Sequence, residues 1–388
     1  MTIKIVSLTL LAAFMSLESC SDSGKPETQN DKPISIFQAN DKSKIQVALL
    51  LDTSGSMDGL IEQAKARLWD IVNTLTTLKY NGKTPTIEIA LYEYGNSGLT
   101  PESNYIRQIS ALSTDLDVIS QNLFALTTNG GDEYCGAVIL DATKKMDWGS
   151  SKSDMKLIYI AGNEEFNQGE IAYEKAIQEA REHDIYVNTI FCGDRMEGIN
   201  TFWKNGADKG SGKFFNINTD EQIAYIETPY DSKISDYNTK MNETYVQYGS
   251  LGAEKKQNQV MQDYNASTLS SSAATERTVS KSKAVYANSS WDLVDKVKDD
   301  KSAIKQLKKE ELPAELKGKS TKEIEQYVSK KAKEREGIQR KISELALKRQ
   351  AYIDQQQKKN NNQNNDLGAA IKRSIRELAK AKGYTVER

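Results

Sequence analysis

Histidine is almost absent from the sequence, since His183 is the only one among 388 residues. Zinc sites built on several histidines, and catalytic dyads or triads built on one, depend on this side chain. His183 follows a predicted helix in the stretch REHDIYV, where a structural role near the helix C-terminus accounts for it better than catalysis does. Most histidine-based metal and hydrolase chemistry is therefore excluded.

An excess of one charge sign is also missing, because 52 Lys and Arg residues face 54 Asp and Glu residues, for a formal net charge of −2. This balance gives no overall attraction to nucleic acid, and we expect no nucleic-acid partner. Beyond the N-terminus, no segment reaches the roughly 18 apolar residues that a membrane-spanning helix needs. The hydrophobic fraction of 38% and the charged fraction of 27% are typical of a folded soluble protein with polar helices.

The N-terminal segment contains an apolar run and one of the three cysteines. Lys4 precedes apolar residues 5–17, a pattern typical of a signal peptide and too short to span a membrane. The following LESC resembles a bacterial lipobox, with Cys20 as the residue that would be lipidated; an ordinary signal peptide is the alternative. We predict a signal peptide over 1–20 and a polar tether over 21–43. The protein is then expected to be lipid-anchored in the cell envelope, at the outer membrane or periplasmic face rather than the inner membrane.

Residues 44–228 alternate strand and helix patterns. Buried-type strands such as KIQVALLL (44–51) and KLIYIAG (156–162) alternate with amphipathic helices such as LIEQAKARLWDIVNTLTTLK (60–79). This alternation predicts an α/β fold with a mostly parallel sheet and helices on both faces. Ligands of such sheets bind outside the carboxyl ends of the strands.

The rest of the chain consists of charged helical patterns. The longest has an apolar seam that is interrupted by Lys331, Arg335 and Arg349. These interruptions favour a charged helix packed on one side over a dimerising coiled coil, which is the alternative. The predicted segments are a mainly α-helical region over 229–359, an asparagine-rich linker over 360–366 and a basic C-terminal helix with a solvated face over 367–388.

The stretch VALLLDTSGSMD (47–58) ends a buried strand in a group of oxygen-bearing side chains. Asp52, Ser54 and Ser56 form the pattern D-x-S-x-S between that strand and an amphipathic helix. One carboxylate and two hydroxyls on a loop suit a hard divalent cation. The stretch resembles the metal-ion-dependent adhesion site (MIDAS) of von Willebrand factor type A domains, and the resemblance extends over residues 44–228. The alternative is a Ser/Gly turn in which Asp52 caps the helix.

The resemblance implies that two further loops complete a metal site. In the family, a threonine of a second loop and an aspartate of a third join the first motif, and a carboxylate of a partner protein completes the coordination. The second loop here, LTTNGGDEYCGAV, offers Asp132 after its glycines, with Thr127 and Thr128 as alternative donors. The third loop, IYIAGNEEFNQG, lacks the aspartate and offers Asn163, or else Glu164. Mg²⁺ is the expected ion, with Mn²⁺ and Ca²⁺ as alternatives.

By resemblance, the expected function is divalent-metal-assisted binding of a protein partner through its acidic side chain, without enzymatic activity. A second carboxylate at the ion, from Asp132, would weaken the attraction of the ion for an acidic ligand. One alternative is a metal-free scaffold whose C-terminal helices bind the partner. Another is a metal-dependent hydrolase with Glu133 or Glu165 as the base.

Cys135 and Cys192 remain if Cys20 carries lipid. Both are expected at the rim of the proposed ion site. In an exported protein an even pair can form a disulfide, and two buried free thiols are the alternative. We expect a disulfide that braces the rim.

Overall fold

The computed structural model describes residues 43–218, 225–360 and 367–387. The predicted signal peptide, Cys20 and nearly all of the predicted tether and asparagine-rich linker lie outside these ranges. The described residues belong to one compact unit. No helix among them is long and apolar enough to cross a membrane.

A six-stranded sheet forms the centre of the α/β part. The strands are β1 (Lys44–Asp52), β2 (Leu78–Lys79), β3 (Thr86–Tyr94), β4 (Ile106–Ser113), β5 (Met155–Gly162), β6 (Ile185–Cys192), β7 (Ser211–Ile217) and β8 (Thr385–Val386). The sheet has the order β4-β3-β1-β5-β6-β7, and β2 pairs separately with β8. Only β4 runs antiparallel to its neighbour in the larger sheet. The predicted mostly parallel sheet is confirmed, and the carboxyl ends of β1, β3, β5 and β6 meet at one edge.

Helices cover the sheet and make up the C-terminal region. They are α1 (Asp58–Thr76), α2 (Leu116–Phe124), α3 (Cys135–Lys145), α4 (Tyr173–Glu182), α5 (Arg195–Asn200), α6 (Trp203–Lys209), α7 (Asp231–Asn242), α8 (Gly252–Leu269), α9 (Ser271–Lys281), α10 (Leu293–Asp299), α11 (Ala303–Gln306), α12 (Thr321–Asn360) and α13 (Leu367–Ala381). Short 3₁₀ turns occupy Pro101–Ser103, Lys309–Glu311 and Ala314–Leu316. The helical C-terminal region is therefore confirmed.

The central strands β1, β5 and β6 are buried on both faces, as expected for parallel strands between helical layers. Alternate residues of β1 point to opposite faces, so Val47 and Leu49 join one core while Ala48 and Leu50 join the other. The first core includes residues of α1, α2 and α13 together with α7, α9 and α12. The second core includes residues of α3, α4 and α6. Both layers fix β1, whose last residue begins the candidate site.

The C-terminal helix α13 is part of the first core. Its residues Ile371 and Ile375 are fully buried there. The Ser374 hydroxyl donates to Oδ1 of Asn188 in β6 at 2.6 Å, and Lys372 forms an ion pair with Asp70 of α1 at 2.6 Å. The helix predicted from its basic pattern thus packs with its apolar face on the α/β part.

The interrupted seam of α12 is explained by buried ion pairs. Arg335 donates to Asp292 at 2.7 Å, and Arg349 donates to Asp231 at 2.9 Å. Both arginines are buried against α7 and the N-terminal part of α10. The third interruption, Lys331, lies at the surface near Glu334. The helix packs along one side on its own chain, as the pattern indicated.

Candidate metal centre

The first loop begins where β1 ends. Asp52 is fully buried, and its Oδ1 accepts the backbone N–H of Ser54 at 2.7 Å. This hydrogen bond turns the chain tightly, so the side chains of Ser54 and Ser56 lie together with their hydroxyl oxygens 3.4 Å apart. Ser54 is buried, whereas Ser56 is exposed. The three residues of the D-x-S-x-S pattern therefore form one cluster at the edge of the sheet.

The second loop brings Glu133 to Asp52. Glu133 is 5% exposed, and Asp132 is exposed to solvent, where its carboxylate accepts the Tyr134 hydroxyl at 3.3 Å. Gly95 lies against both buried carboxyl groups, which are close enough to each other to share a hydrogen bond. A Cβ there would lie 2.8 Å from Oδ1 of Asp52 and 2.8 Å from Cγ of Glu133. The buried carboxyl group of this loop is thus one residue later than the one selected from the sequence.

The third loop supplies an amide. Nδ2 of Asn163 donates to the Ser56 hydroxyl at 3.3 Å, and Oδ1 of Asn163 is buried without a hydrogen-bond partner. Glu164 is exposed, and its carboxylate accepts a hydrogen bond from Nε2 of Gln168 at 3.4 Å. Its charge is nevertheless near enough to raise the pKa values of Asp52 and Glu133.

The two threonines of the second loop take other roles. The Thr128 hydroxyl donates to the carboxylate of Asp58 in the first turn of α1. The Thr127 carbonyl accepts Nδ2 of Asn96 at 3.0 Å. Asn129 donates its backbone N–H to the Thr53 carbonyl at 2.9 Å. These contacts fasten the second loop to the first loop and to the end of β3.

The buried carboxyl groups are electrostatically uncompensated. Burial raises the pKa of Asp52, although the hydrogen bond from the Ser54 backbone partly opposes this. Burial also raises the pKa of Glu133, and the neighbouring charge of Asp52 raises it further. Neither group forms an ion pair with a lysine or arginine in the described ranges. A cation between them would remove both the repulsion and the unfavourable burial of charge.

Three buried oxygen atoms at this edge have no hydrogen-bond partner: Oδ2 of Asp52, Oε2 of Glu133 and Oδ1 of Asn163. Buried oxygen atoms without a hydrogen-bond partner are rare in folded proteins, and a bound ion is one explanation for them. Within the described ranges no group of three or more His, Cys, Asp or Glu side chains could hold a metal ion. An ion here would therefore depend on serine hydroxyl and amide oxygens as well as on the two carboxylates. That set fits Mg²⁺, Mn²⁺ or Ca²⁺, which prefer oxygen ligands.

The expected disulfide is not formed. Cys135 and Cys192 are both buried free thiols. Cys135 packs in the core on the α3 and α4 face, where its thiol contacts the Tyr94 hydroxyl at 3.9 Å. Cys192, at the end of β6, packs in the core on the opposite face. The prediction was wrong because the sheet separates the two side chains, although both lie near the same edge.

The strand order, the edge location and the three loops can be compared with known proteins. Residues 46–229 match the family model described as the von Willebrand factor type A domain. The matched segment is similar to type A domains. The match confirms the resemblance drawn from the D-x-S-x-S loop. No curated protein gives a significant match to the chain.

The similar solved structures match less than half of the chain. BatB of Bacteroides thetaiotaomicron is 16% identical, with a TM-score of 0.35, over 45% of this chain and 90% of that protein. A von Willebrand factor type A protein of Catenulispora acidiphila is 16% identical, with a TM-score of 0.34, over 46% and 39%. Proximal thread matrix protein 1 of the mussel byssus, with a zinc-occupied MIDAS motif, is 15% identical, with a TM-score of 0.36, over 46% and 43%. The zinc is a property of that protein.

Proposed function

We propose that this protein is a lipid-anchored component of the cell envelope whose type A domain binds a protein partner with the help of a divalent cation. The observation that carries the proposal is the meeting of three unpartnered buried oxygen atoms, from Asp52, Glu133 and Asn163, at the carboxyl edge of the sheet. Ligands of α/β sheets bind at this edge. Type A domains are generally interaction modules, so we propose binding and not catalysis.

The proposed ligands come from all three loops. Asp52, Ser54 and Ser56 of the first loop and Asn163 of the third would hold the ion, with Mg²⁺ as the expected occupant. Glu133 is the nearer candidate in the second loop, because it is buried beside Asp52. Asp132 and Glu164, which are exposed, would act from the rim.

The envelope location is proposed from the sequence alone. The apolar segment before LESC and the polar residues after it support export and lipidation at Cys20. Metabolic labelling with an alkyne fatty acid tests this, and the label should disappear in Cys20→Ser. A Cys20→Ser protein that keeps the label would contradict the lipid anchor.

Thermal melting after chelation tests the metal site. Mg²⁺, Mn²⁺ and Ca²⁺ would be titrated into the full chain and into Asp52→Ala. An ion that binds only the folded state stabilises it by about 2.7 kcal/mol at a hundredfold excess over its dissociation constant. We expect a rise in melting temperature for the native chain and none for Asp52→Ala. No rise with any of the three ions would refute the proposal.

Photo-crosslinking in the producing cells tests partner binding. A photoreactive residue would replace the exposed Glu165 in the third loop or, for comparison, the exposed Tyr264 on α8. The comparison matters because α8 exposes three large apolar side chains, which would favour the C-terminal helices as the interaction module: Val260, Met261 and Tyr264. We expect a protein adduct from position 165 that Asp52→Ala abolishes. An adduct from position 264 alone, unchanged by Asp52→Ala, would favour the metal-free scaffold.

A further inference from the structure

The loops around the proposed ion are acidic. The first loop (53–57), the β3–β4 loop (95–105), the second loop (125–134) and the third loop (163–172) contain no lysine or arginine. Their carboxylates are Glu102, Asp132, Glu133, Glu164, Glu165 and Glu170. None of these six pairs with a basic side chain in the part of the chain that the structure describes. Five of the six are exposed, whereas Glu133 is buried beside Asp52.

A cavity of about 230 Å³ opens beside the third loop. Two exposed carboxylates, Glu170 and Glu174, line it together with the rings of Tyr173 and Phe202. The two ring centroids are 6.3 Å apart. The cavity thus combines negative charge with aromatic surface.

The wall of the cavity contacts the second loop of the proposed metal site. Gly169 in its wall lies so close to Tyr134 that a Cβ there would be 2.8 Å from the tyrosine ring. Tyr134 follows Glu133 directly and contacts Asp132 through its hydroxyl. The same third loop that lines the cavity begins with Asn163. A partner segment on the ion would therefore run past the cavity.

Phe202 is held at the surface by the surrounding backbone. Its φ is +71°, which is unfavourable for a residue with a side chain. The neighbouring Trp203 is fully buried, donates Nε1 to the Glu164 carbonyl at 2.6 Å, and stacks edge-on against Phe166. Thr201 accepts the backbone N–H of Phe166 at 3.0 Å. With both neighbours fixed, the phenyl ring of Phe202 remains 40% exposed at the mouth of the cavity.

We propose that this cavity receives a lysine or arginine side chain of the protein partner. The carboxyl edge of the sheet, which carries the proposed ion, would then select a basic segment of that partner. The inference rests on the proposed function, whose partner it specifies. A cation in the cavity would meet Glu170 and Glu174 and could lie over the Phe202 ring, an arrangement favoured by charge and by the ring quadrupole. An acidic segment would instead approach the five exposed loop carboxylates against their repulsion.

Labelled peptides measure this selectivity. Fluorescent decapeptides that alternate Gly with Lys, Arg or Glu would be titrated against the full chain in Mg²⁺ and in chelator, at low and at physiological salt. We expect the Lys or Arg peptide to bind at least about tenfold more tightly than the Glu peptide. Comparing the Lys peptide with the Arg peptide identifies which of the two side chains the cavity prefers.

Matched variants locate the binding. Glu170→Gln with Glu174→Gln should weaken binding of the basic peptide several-fold. Glu179→Gln with Glu182→Gln makes the same charge change on α4, the helix of Glu174, away from the cavity, and should have little effect. Phe202→Leu keeps an apolar side chain but loses the aromatic face, and we expect about a two- to fivefold loss. Melting curves of each variant verify that it folds.

The outcomes separate this inference from the metal proposal. Stabilisation by metal without a preference for the basic peptides would leave the metal site in place and overturn the cationic cavity. Equal losses in the two double variants would overturn it as well, because general charge would then explain the binding. A preference for basic peptides that depends on Glu170 and Glu174 would support the cavity even if no ion stabilised the chain.

Discussion

At the scale of single residues, the second loop determines which carboxylate would reach the proposed ion. Glu133 is buried beside Asp52, and Asp132 is exposed one residue earlier. We predict that Glu133→Gln removes the metal-dependent rise in melting temperature, because an amide supplies less negative charge to a cation. The metal-free melting temperature should change little, since burial raises the pKa of Glu133 and favours its uncharged form.

The matched control is Asp132→Asn, which should retain most of the metal response. Melting of both variants with and without Mg²⁺ measures the difference. If Asp132→Asn loses the response and Glu133→Gln keeps it, the assignment from the sequence is correct and the one from burial is wrong.

The first loop could be predicted from the sequence because its oxygens are two residues apart on one short turn after a recognisable strand. The inward-facing residue of the second loop, Glu133, could not be predicted, because it depends on how this loop crosses the β3–β4 loop. Gly131 approaches β3 so closely that a Cβ would lie 2.5 Å from the Gly95 carbonyl oxygen. That contact sets the direction of the next two residues, and no local pattern reports it.

Gly162 is a second close approach at this edge. A Cβ there would lie 2.4 Å from the Tyr94 hydroxyl and 3.0 Å from Oδ2 of Asp52. We predict that Gly162→Ala lowers the free energy of unfolding by about 1–3 kcal/mol, the usual cost of overpacking. Urea denaturation measures it. Gly130→Ala, with no atom within 4 Å of the added Cβ, is the control and should change stability far less. Equal effects of the two variants would show that the crowding at Gly162 is relieved without cost.

At the scale of elements, α12 shows how charged residues that interrupt an apolar helix seam can be accommodated. Its interruptions argued correctly against a regular zipper, since a coiled-coil seam needs apolar residues at these positions. The sequence did not indicate the partners, because Asp292 and Asp231 lie 43 and 118 residues before their arginines. Only the packing of α7 and α10 on α12 brings the charges together.

Breaking a buried ion pair of α12 should strongly lower the free energy of unfolding. Arg349→Ala would leave Asp231 buried without its cation, and Glu276 would lose a positive charge at 3.6 Å. Removing one partner of a buried pair costs about 3–5 kcal/mol. Arg340→Ala breaks an exposed pair with Glu336 on the same helix and should cost about 0–1 kcal/mol. Urea unfolding of both variants checks this, and similar losses would mean that the pair at Arg349 is weak.

At the scale of the whole molecule, the helical region and the α/β part share one core. Helices α8 and α9 pack on α1 and α2, and α13 returns to cover β6 and β7. The alternation of strands and helices predicted the α/β part well, because each βα unit is local in sequence. The return of α13 joins residues far apart in the chain: Ser374 and Asn188 are separated by 186 positions. Periodicity carries no information on such a contact.

A buried ionic network joins the α/β part to the helical region. The packing of these two parts on each other should therefore be sensitive to acid. Arg277 of α9 donates to Asp117 of α2 at 2.7 Å and to Asp263 of α8 at 2.6 Å. Lys281 also pairs with Asp263, at 2.9 Å. Although burial opposes it, the charges of Lys281 and Arg277 hold the pKa of Asp263 far below its usual range. A depressed folded-state pKa stabilises the protein above the unfolded pKa of about 3.9, and this stabilisation is lost as the pH falls below that value.

The difference in free energy of unfolding between the native chain and Asp263→Asn should therefore be large near pH 7 and shrink as the pH falls from about 4 toward 2, where the carboxylate begins to lose its charge in the unfolded chain. Urea unfolding across this range measures it. Asp236→Asn, at an exposed position of α7, is the control and should give a small difference at every pH. A difference for Asp263→Asn that stays constant down to pH 2 would show that its ion pairs do not stabilise the packing of the two parts.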